Sequence, residues 1–295
     1  MNSWKSSLAL LLSLVAVIAA LYVSTTAHEQ DVQKISAYDR IMKTRTVRCA
    51  YQTWPPFIIK DPNTGKISGV VADIFETMGK DLGLKIDWAE EVGSANMFEG
   101  FPTGRYDMFC SPLTMTPQRA MVSDFTRPIG FVPFYLYVKE GDHRFDHNYG
   151  QVNDEKVSIM FMDGDFTGIV ANELFPKARK VSLPNFNNGG DLLVGVSSLK
   201  ADATVNDPSI ADVFMKNNPG KIRRVDGAAL KTPPINFALP VGEDKLRRLV
   251  DHVITNYLEV GIIDNILKNY GLDEAKILRV APPYIQIQEP KGVDP

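Results

Sequence analysis

The chain has 295 residues, 44% of them hydrophobic and 23% charged, with a formal net charge of −3. That length accommodates one large domain or two of moderate size, each able to bury a core. A mildly acidic balance, with no basic run and no interleaving of basic and aromatic residues, excludes a nucleic-acid reader.

In chain order, the first element is a leader. Lys5 precedes "SSLALLLSLVAVIAALYVSTTA", and no Asp, Glu, Lys or Arg follows until Glu29. A short positive region, an apolar run and small residues up to Ala27 fit a signal peptide over residues 1–27. The run is also long enough to remain as a membrane anchor, and both readings stand. Either way the remainder lies outside the cytoplasm, with Lys5 on the inner side.

From Asp31 to Arg45 the sequence predicts a short helix, then "TVRCAY" a strand and "QTWPPFII" a loop or edge segment. "DPNTGKISG" is turn chemistry. Val71, Ile74, Phe75, Met78 and Leu82 fall at helical spacing, and Gly83 closes that helix. "LKIDWAE" alternates like a strand, Asn96 to Thr103 is a weak helix or loop, and "YDMFCS" is a strand. A helix is expected from Pro117 to about Ser123, and one strand from Gly130 to Lys139.

Strand and helix then alternate through "VSIMFM", Thr167–Leu174, "KVSLP", Asp191–Leu199, "DATVN", Pro208–Lys216, "KIRRV" and "INFALPV". One or two amphipathic helices follow over Lys245–Asn269, and the tail from Lys276 reads as an extension rather than a core element. The alternation predicts α/β architecture with largely parallel sheets, in two blocks meeting near residue 133.

Cys49 and Cys110 sit near the ends of two of these strands. An oxidising compartment permits a disulfide. Neighbouring strands often lack the required geometry, so the favoured expectation is two small buried apolar residues.

Ligands of open α/β sheets bind beyond the carboxyl ends of strands. Three strand-to-helix switches carry polar residues: "FCSPLTMTPQR", "MDGDFTG" and "TVNDPS". They offer Thr114, Thr116 and Arg119, a glycine turn able to present backbone amides to an anion, and Asn206 with Asp207. Thr116 and Asp207 each precede proline, so each also reads as a helix N-cap. Arg119 is unexpected three residues into a helix, where the macrodipole favours anions. A guanidinium binds a carboxylate in bidentate fashion, and a facing carboxylate can hold an ammonium; the pair suits a zwitterion.

An enzyme reading finds little support. His143 and His147 in "DHRFDH" have helical zinc-ligand spacing but lie in a polar stretch that reads as solvated loop. His252 lies in an amphipathic helix and reads as structural. No "G-x-S-x-G", P-loop or "H-E-x-x-H" occurs. No cofactor or metal is called for.

Four motifs occur in order: "PPFIIKDPNTGKISGVVAD", "PLTMTPQRAMVSDFTRP", "LKADATVND" and "INFALPVGEDKLRRLVDHVITNYLEVGIIDNILKNYG". Together, from about Thr46 to Gly271, they resemble family 3 of the bacterial periplasmic solute-binding proteins, the amino-acid type. The resemblance implies a two-lobed type II periplasmic-binding-protein-like α/β fold with two hinge crossings and a central cleft. The first lobe would span 45–132 plus 236–275, the second 133–235, with 276–295 a C-terminal extension. It implies capture of a small zwitterionic or carboxylate ligand, above all an amino acid, for an ABC-type membrane permease in the periplasm.

By that resemblance Arg119 and Thr114 hold the ligand α-carboxylate and Asp207 the α-amino group, next to Asn206. Thr167 adds a bond to the carboxylate if "FTG" is the equivalent turn; Asp165, if "GD" is, would repel it. Trp54 packs on the ligand side chain with Tyr51 nearby, although Trp54 also reads as core. Pro112 replaces the family glycine and has a carbonyl but no N–H to offer. Alternatives are a ligand-sensing module for a membrane partner and a dehydratase-like enzyme using Asp165 or Asp207.

Overall fold

A computed structural model describes residues 35–184, 189–272 and 276–279. The proposed signal or anchor over 1–27 lies outside them, as does most of the C-terminal tail. No helix among the described residues is long and apolar enough to cross a membrane.

The first part of the chain forms α1 (Ala37–Thr44), β1 (Thr46–Tyr51), β2 (Ile59–Lys60), β3 (Ile67–Ser68), α2 (Val70–Leu82) and β4 (Lys85–Glu91). There follow α3 (Gly100–Thr103), β5 (Met108–Leu113), α4 (Pro117–Ala120), β6 (Asp124–Phe125) and β7 (Gly130–Phe131). The middle comprises β8 (Tyr135–Lys139), β9 (Ser158–Met162), α5 (Phe166–Leu174), β10 (Arg179–Leu183), α6 (Gly189–Ser197), β11 (Ala203–Asn206), α7 (Pro208–Asn217) and β12 (Ile222–Arg224). The chain closes with β13 (Pro234–Leu239), α8 (Asp244–Glu259) and α9 (Ile262–Asn269).

Two sheets result. In the first the strands run β4-β1-β5-β13-β6, with β7 also on β13. β1 is parallel to both neighbours, whereas β13 is antiparallel to its partners. The second sheet runs β10-β9-β11-β8-β12, parallel through β10, β9 and β11 and antiparallel at β8 and β12. Every residue of β5 is buried, as expected of a central strand covered on both faces. The two-lobed α/β architecture matches the fold expected from sequence.

The chain passes between sheets twice, after β7 and before β13. The two passages lie side by side: Phe134 bridges Lys231, and β7 pairs with β13 at Phe131–Pro234. The single strand expected over Gly130–Lys139 is therefore two. Pro133, which has no N–H to give a ladder, falls at the break. The long helical run near the C-terminus also divides, at Gly261, whose φ of 77° suits glycine.

Asp107 is buried where β5 begins and ties α1 and β1 together. It accepts from Arg40, from Arg48 Nη2 at 2.9 Å and from the Arg48 backbone N–H at 2.7 Å. Ion pairing with several hydrogen bonds compensates the desolvation of this carboxylate.

Two expectations need correction. Cys49 and Cys110 form a disulfide, with Cα atoms 5.5 Å apart. Cys49 lies opposite Met108 in the parallel pair β1/β5, and Cys110, two residues on, shares that face. Adjacent parallel strands thus do provide the geometry here. The tail also contributes to the core at its start. Ile277 is buried, and Leu278 exchanges two backbone hydrogen bonds with Phe131 at 2.7 and 2.8 Å.

Reduction of the disulfide, or the pair Cys49→Ala and Cys110→Ala, should lower stability by about 2–4 kcal/mol, since the link closes a 61-residue separation. Thermal unfolding with and without reductant reads this; an unchanged midpoint would contradict it. Ile277→Ala should cost about 2 kcal/mol or more in denaturant unfolding, as expected for a buried aliphatic truncation.

Candidate functional site

A cavity of about 580 Å³ lies between the two sheets. Its wall combines residues from the first part of the chain, such as Trp54, Pro112, Thr114 and Arg119, with Asp165, Thr167, Asn206 and Asp207 from the middle. It lies beyond the carboxyl ends of β1, β5, β9 and β11, as the strand-end rule expects.

Arg119 is delivered by α4, a single turn. Thr116 caps it, its hydroxyl accepting from the Arg119 N–H at 3.2 Å, and Pro117 occupies the first helical position. A helix of four residues has little macrodipole, so a cation in its first turn costs little. The guanidinium leaves the helix and donates Nη1 to the Thr114 carbonyl at 2.8 Å and Nη2 to the Gly164 carbonyl at 2.9 Å. The second bond crosses the cavity. Burial draws the Arg119 pKa below the ordinary guanidinium value, and the charge on Asp165 opposes that shift.

Gly164 has φ of 76°, and a Cβ there would come within 3.2 Å of the Ala95 backbone nitrogen. Glycine therefore allows the turn after β9 to approach the opposite wall.

Two acids face the cavity by the same device. Asp165 is the N-cap of α5: its Oδ1 accepts from the N–H groups of Thr167 at 2.7 Å and Gly168 at 3.3 Å, and from the Thr167 hydroxyl. Asp207 is the N-cap of α7, its Oδ1 accepting from the N–H groups of Ser209 at 2.9 Å and Ile210 at 3.3 Å, and from the Ser209 hydroxyl. Neither Oδ2 has a partner of hydrogen-bond geometry among the described residues. Burial pushes the Asp165 carboxyl up to about 6, against the pull of its hydrogen bonds and of Arg119. Burial raises Asp207 as well, opposed by Ser209, Ile210 and the Trp54 indole.

The remaining residues singled out from sequence are placed as follows. Thr114 lines the cavity, and its hydroxyl is without a hydrogen bond among the described residues. Thr167 lines it too, but its hydroxyl donates to Asp165 and accepts from the Met162 N–H at 3.0 Å. Asn206 turns inward to its own lobe, donating to the Gly189 carbonyl at 2.7 Å and accepting from the Asp207 N–H at 2.9 Å. Pro112 is in the wall as part of β5.

Trp54 both lines the cavity and packs on Phe57, with ring centroids 5.2 Å apart; its buried Nε1 reaches no acceptor at hydrogen-bond geometry. Tyr51 departs from expectation. It is outside the cavity wall and buried in the first core against Trp88, with centroids 5.9 Å apart. At the end of a buried strand, its large ring gains more from apolar packing than from facing the cleft.

Sequence reasoning missed Gln52, Ser94 and Ser209. Ser94 Oγ donates to Gln52 Oε1 at 3.0 Å, and both residues line the cavity. Only Ser209 carried a local signal, two residues after an N-cap aspartate. Among the described residues no group of three or more His, Cys, Asp or Glu is arranged to hold a metal ion. His143 lies in the exposed loop after β8, its Nδ1 2.8 Å from Asp146.

The model of the bacterial extracellular solute-binding proteins, family 3, matches residues 47–273. A probable amino-acid ABC transporter-binding protein of Haemophilus influenzae is 23% identical over 269 residues, covering 90% of this chain and 98% of that protein. The L-arginine-binding protein of Pseudomonas aeruginosa is 25% identical, covering 64% of this chain and 70% of its own. Among solved structures, an ancestral amino acid-binding protein described as a precursor of cyclohexadienyl dehydratase superposes with a TM-score of 0.69 at 25% identity, over 80% of this chain and 99% of that one. The match to the family model spans most of the chain and includes every strand-to-helix switch that lines the cavity; this chain belongs to the bacterial extracellular solute-binding proteins, family 3.

Proposed function

We propose that this protein captures a free amino acid outside the cytoplasm and presents it, lobes closed, to an ABC-type membrane permease. The observation that carries the reading is one cavity with a guanidinium on one wall and a helix-capping carboxylate on the other. Arg119 supplies a cation for an α-carboxylate, with the unpaired Thr114 hydroxyl beside it. Asp207 supplies an acceptor for an α-ammonium through its unpaired Oδ2. Trp54 and Phe166 offer apolar surface to the ligand side chain. The cavity volume is ample for a free amino acid.

Closure follows from differential contact. Groups on opposite walls engage one ligand together only when the lobes approach, so the ligand favours the closed state by the contacts made only there. The two adjacent passages between sheets are the natural place for that bending. The N-terminal leader, retained or removed, would keep the protein at or outside the inner membrane. Passive binding is favoured over turnover, since the relatives named above are binding proteins; a product assay with a bound amino acid checks this.

A thermal-shift screen of the protein against the twenty standard amino acids should yield at least one that raises the unfolding midpoint, since a ligand bound only by the native state stabilises it. Arg119→Ala and Asp207→Asn should each weaken that ligand by about a hundredfold or more, the usual scale for removing one partner of a buried charge pair. Asparagine keeps the cap on α7, so its effect reads charge rather than folding. Full affinity in both variants would overturn the site assignment.

A further inference from the structure

Arg119 and Asp207 account for the two charged groups of an amino acid but not for its side chain. Arg119 and Thr114 follow β5, and Asp207 follows β11. The corner of the cavity beyond β1 and β4, neighbouring strands of the first sheet, is left over. Gln52 follows β1 directly, Ser94 lies three residues after β4, and both line the cavity.

Gln52 is held at both ends. Its backbone N–H donates to Ser111 Oγ at 2.8 Å, and the same hydroxyl donates to its carbonyl at 3.0 Å. Ser111 is buried. At the other end Ser94 Oγ donates to Gln52 Oε1 at 3.0 Å, and Ser94 is itself only 7% exposed. The turn carrying Ser94 is fixed by Asn96, whose Oδ1 accepts from the Gly93 N–H at 3.0 Å. The glycine turn of the middle lobe closes over this corner, since a Cβ on Gly164 would lie 3.2 Å from the Ala95 nitrogen.

A side-chain amide has two ends of opposite chemistry. With Oε1 engaged by Ser94, the Nε2 group, a double donor, has no partner among the described residues. Two hydroxyls that also line the cavity are committed elsewhere: Thr53 donates to Glu91 at 2.8 Å, and Thr167 donates to Asp165. A fixed and unspent donor discriminates well, because a ligand that offers no acceptor leaves it unpaired. The cavity lining also includes Leu113, Met162 and Phe166, apolar surface for the methylenes of a side chain.

Building on the amino-acid reading above, we propose that Gln52, oriented by Ser94, selects the ligand side chain. Its Nε2 donates to a terminal oxygen, so the preferred ligand is an amino acid whose side chain ends in a carbonyl or a carboxylate. A side chain ending in a methyl leaves the donor unpaired. One ending in an ammonium or guanidinium sets donor against donor and is disfavoured.

Calorimetric titration with L-glutamine, L-glutamate, L-norleucine and L-lysine tests this. Wild type should bind glutamine or glutamate about tenfold or more tighter than norleucine and lysine, the scale set by one hydrogen bond made or left unmade. Gln52→Leu should lose that preference. Gln52→Glu keeps an oxygen for the Ser94 hydroxyl and turns the free donor into an acceptor, so preference should pass to lysine. Wild type favouring norleucine or lysine, or either variant keeping the wild-type preference, overturns the proposal.

A ligand-free measurement separates this proposal from the function it rests on. With glutamine side-chain amides isotopically labelled for NMR, the Gln52 signals, assigned by their loss in Gln52→Leu, should be rigid yet exchange rapidly with water. Ser94→Ala should make them as mobile as those of the exposed Gln118. If none of the four amino acids binds, the functional reading fails for these ligands, yet this result still supports the oriented donor. Gln52 signals that are already mobile in wild type, or protected from exchange, overturn it.

Discussion

One hydrogen bond organises the cleft: the Arg119 guanidinium donating across it to the Gly164 carbonyl. It needs a one-turn helix that sets Arg119 at the cavity and a glycine turn that brings a backbone carbonyl close enough to receive it. It also desolvates a cation on one wall and leaves a carboxylate beside it on the other. The electrostatics of the site follow from that juxtaposition. A charge drawn out of water calls for compensation, and two backbone carbonyls supply it here.

The middle wall is built economically in structural terms. Two helices begin at the ends of adjacent parallel strands, β9 and β11, and each is capped by an aspartate whose Oδ1 is saturated by its own helix. Saturation of one oxygen fixes the carboxylate at the edge of the cavity. The same side chain thereby stabilises a helix terminus and lines the cavity. This explains why substitution to asparagine, rather than alanine, is the informative change at both positions.

Much of the fold was legible because hydrophobic spacing and turn chemistry are local. The helix over Val70–Leu82 ending at Gly83, the strands Thr46–Tyr51 and Ser158–Met162, and the proline-started helix at Pro208 are all written in short windows of residues. The division at Pro133 and the Cys49–Cys110 bond were not. A proline in an apolar run reads equally as an edge strand or a crossing, and a disulfide depends on which strands become neighbours and in which register. The burial of Ile277 was hidden for the same reason, since it packs beside Gly130 while Leu278 pairs with Phe131, far away in the chain. Tyr51 shows the limit at the site itself. Its place after the first strand matches a ligand-facing position by motif, yet its ring lies in the core beside Trp88.

By itself the sequence determined the α/β alternation, the resemblance to the solute-binding family, and the residue types at three strand-to-helix switches. These are set by local spacing, capping and turn preference, which act over a few residues. Only the tertiary structure decided which of those switches face one another and which charges line one cavity. Arg119 and Asp165 are 46 residues apart in the chain, and no local pattern records that the two lobes bring them to the same cavity. Electrostatic coupling depends on distance through space and on exclusion of water, and both exist only once the chain has folded.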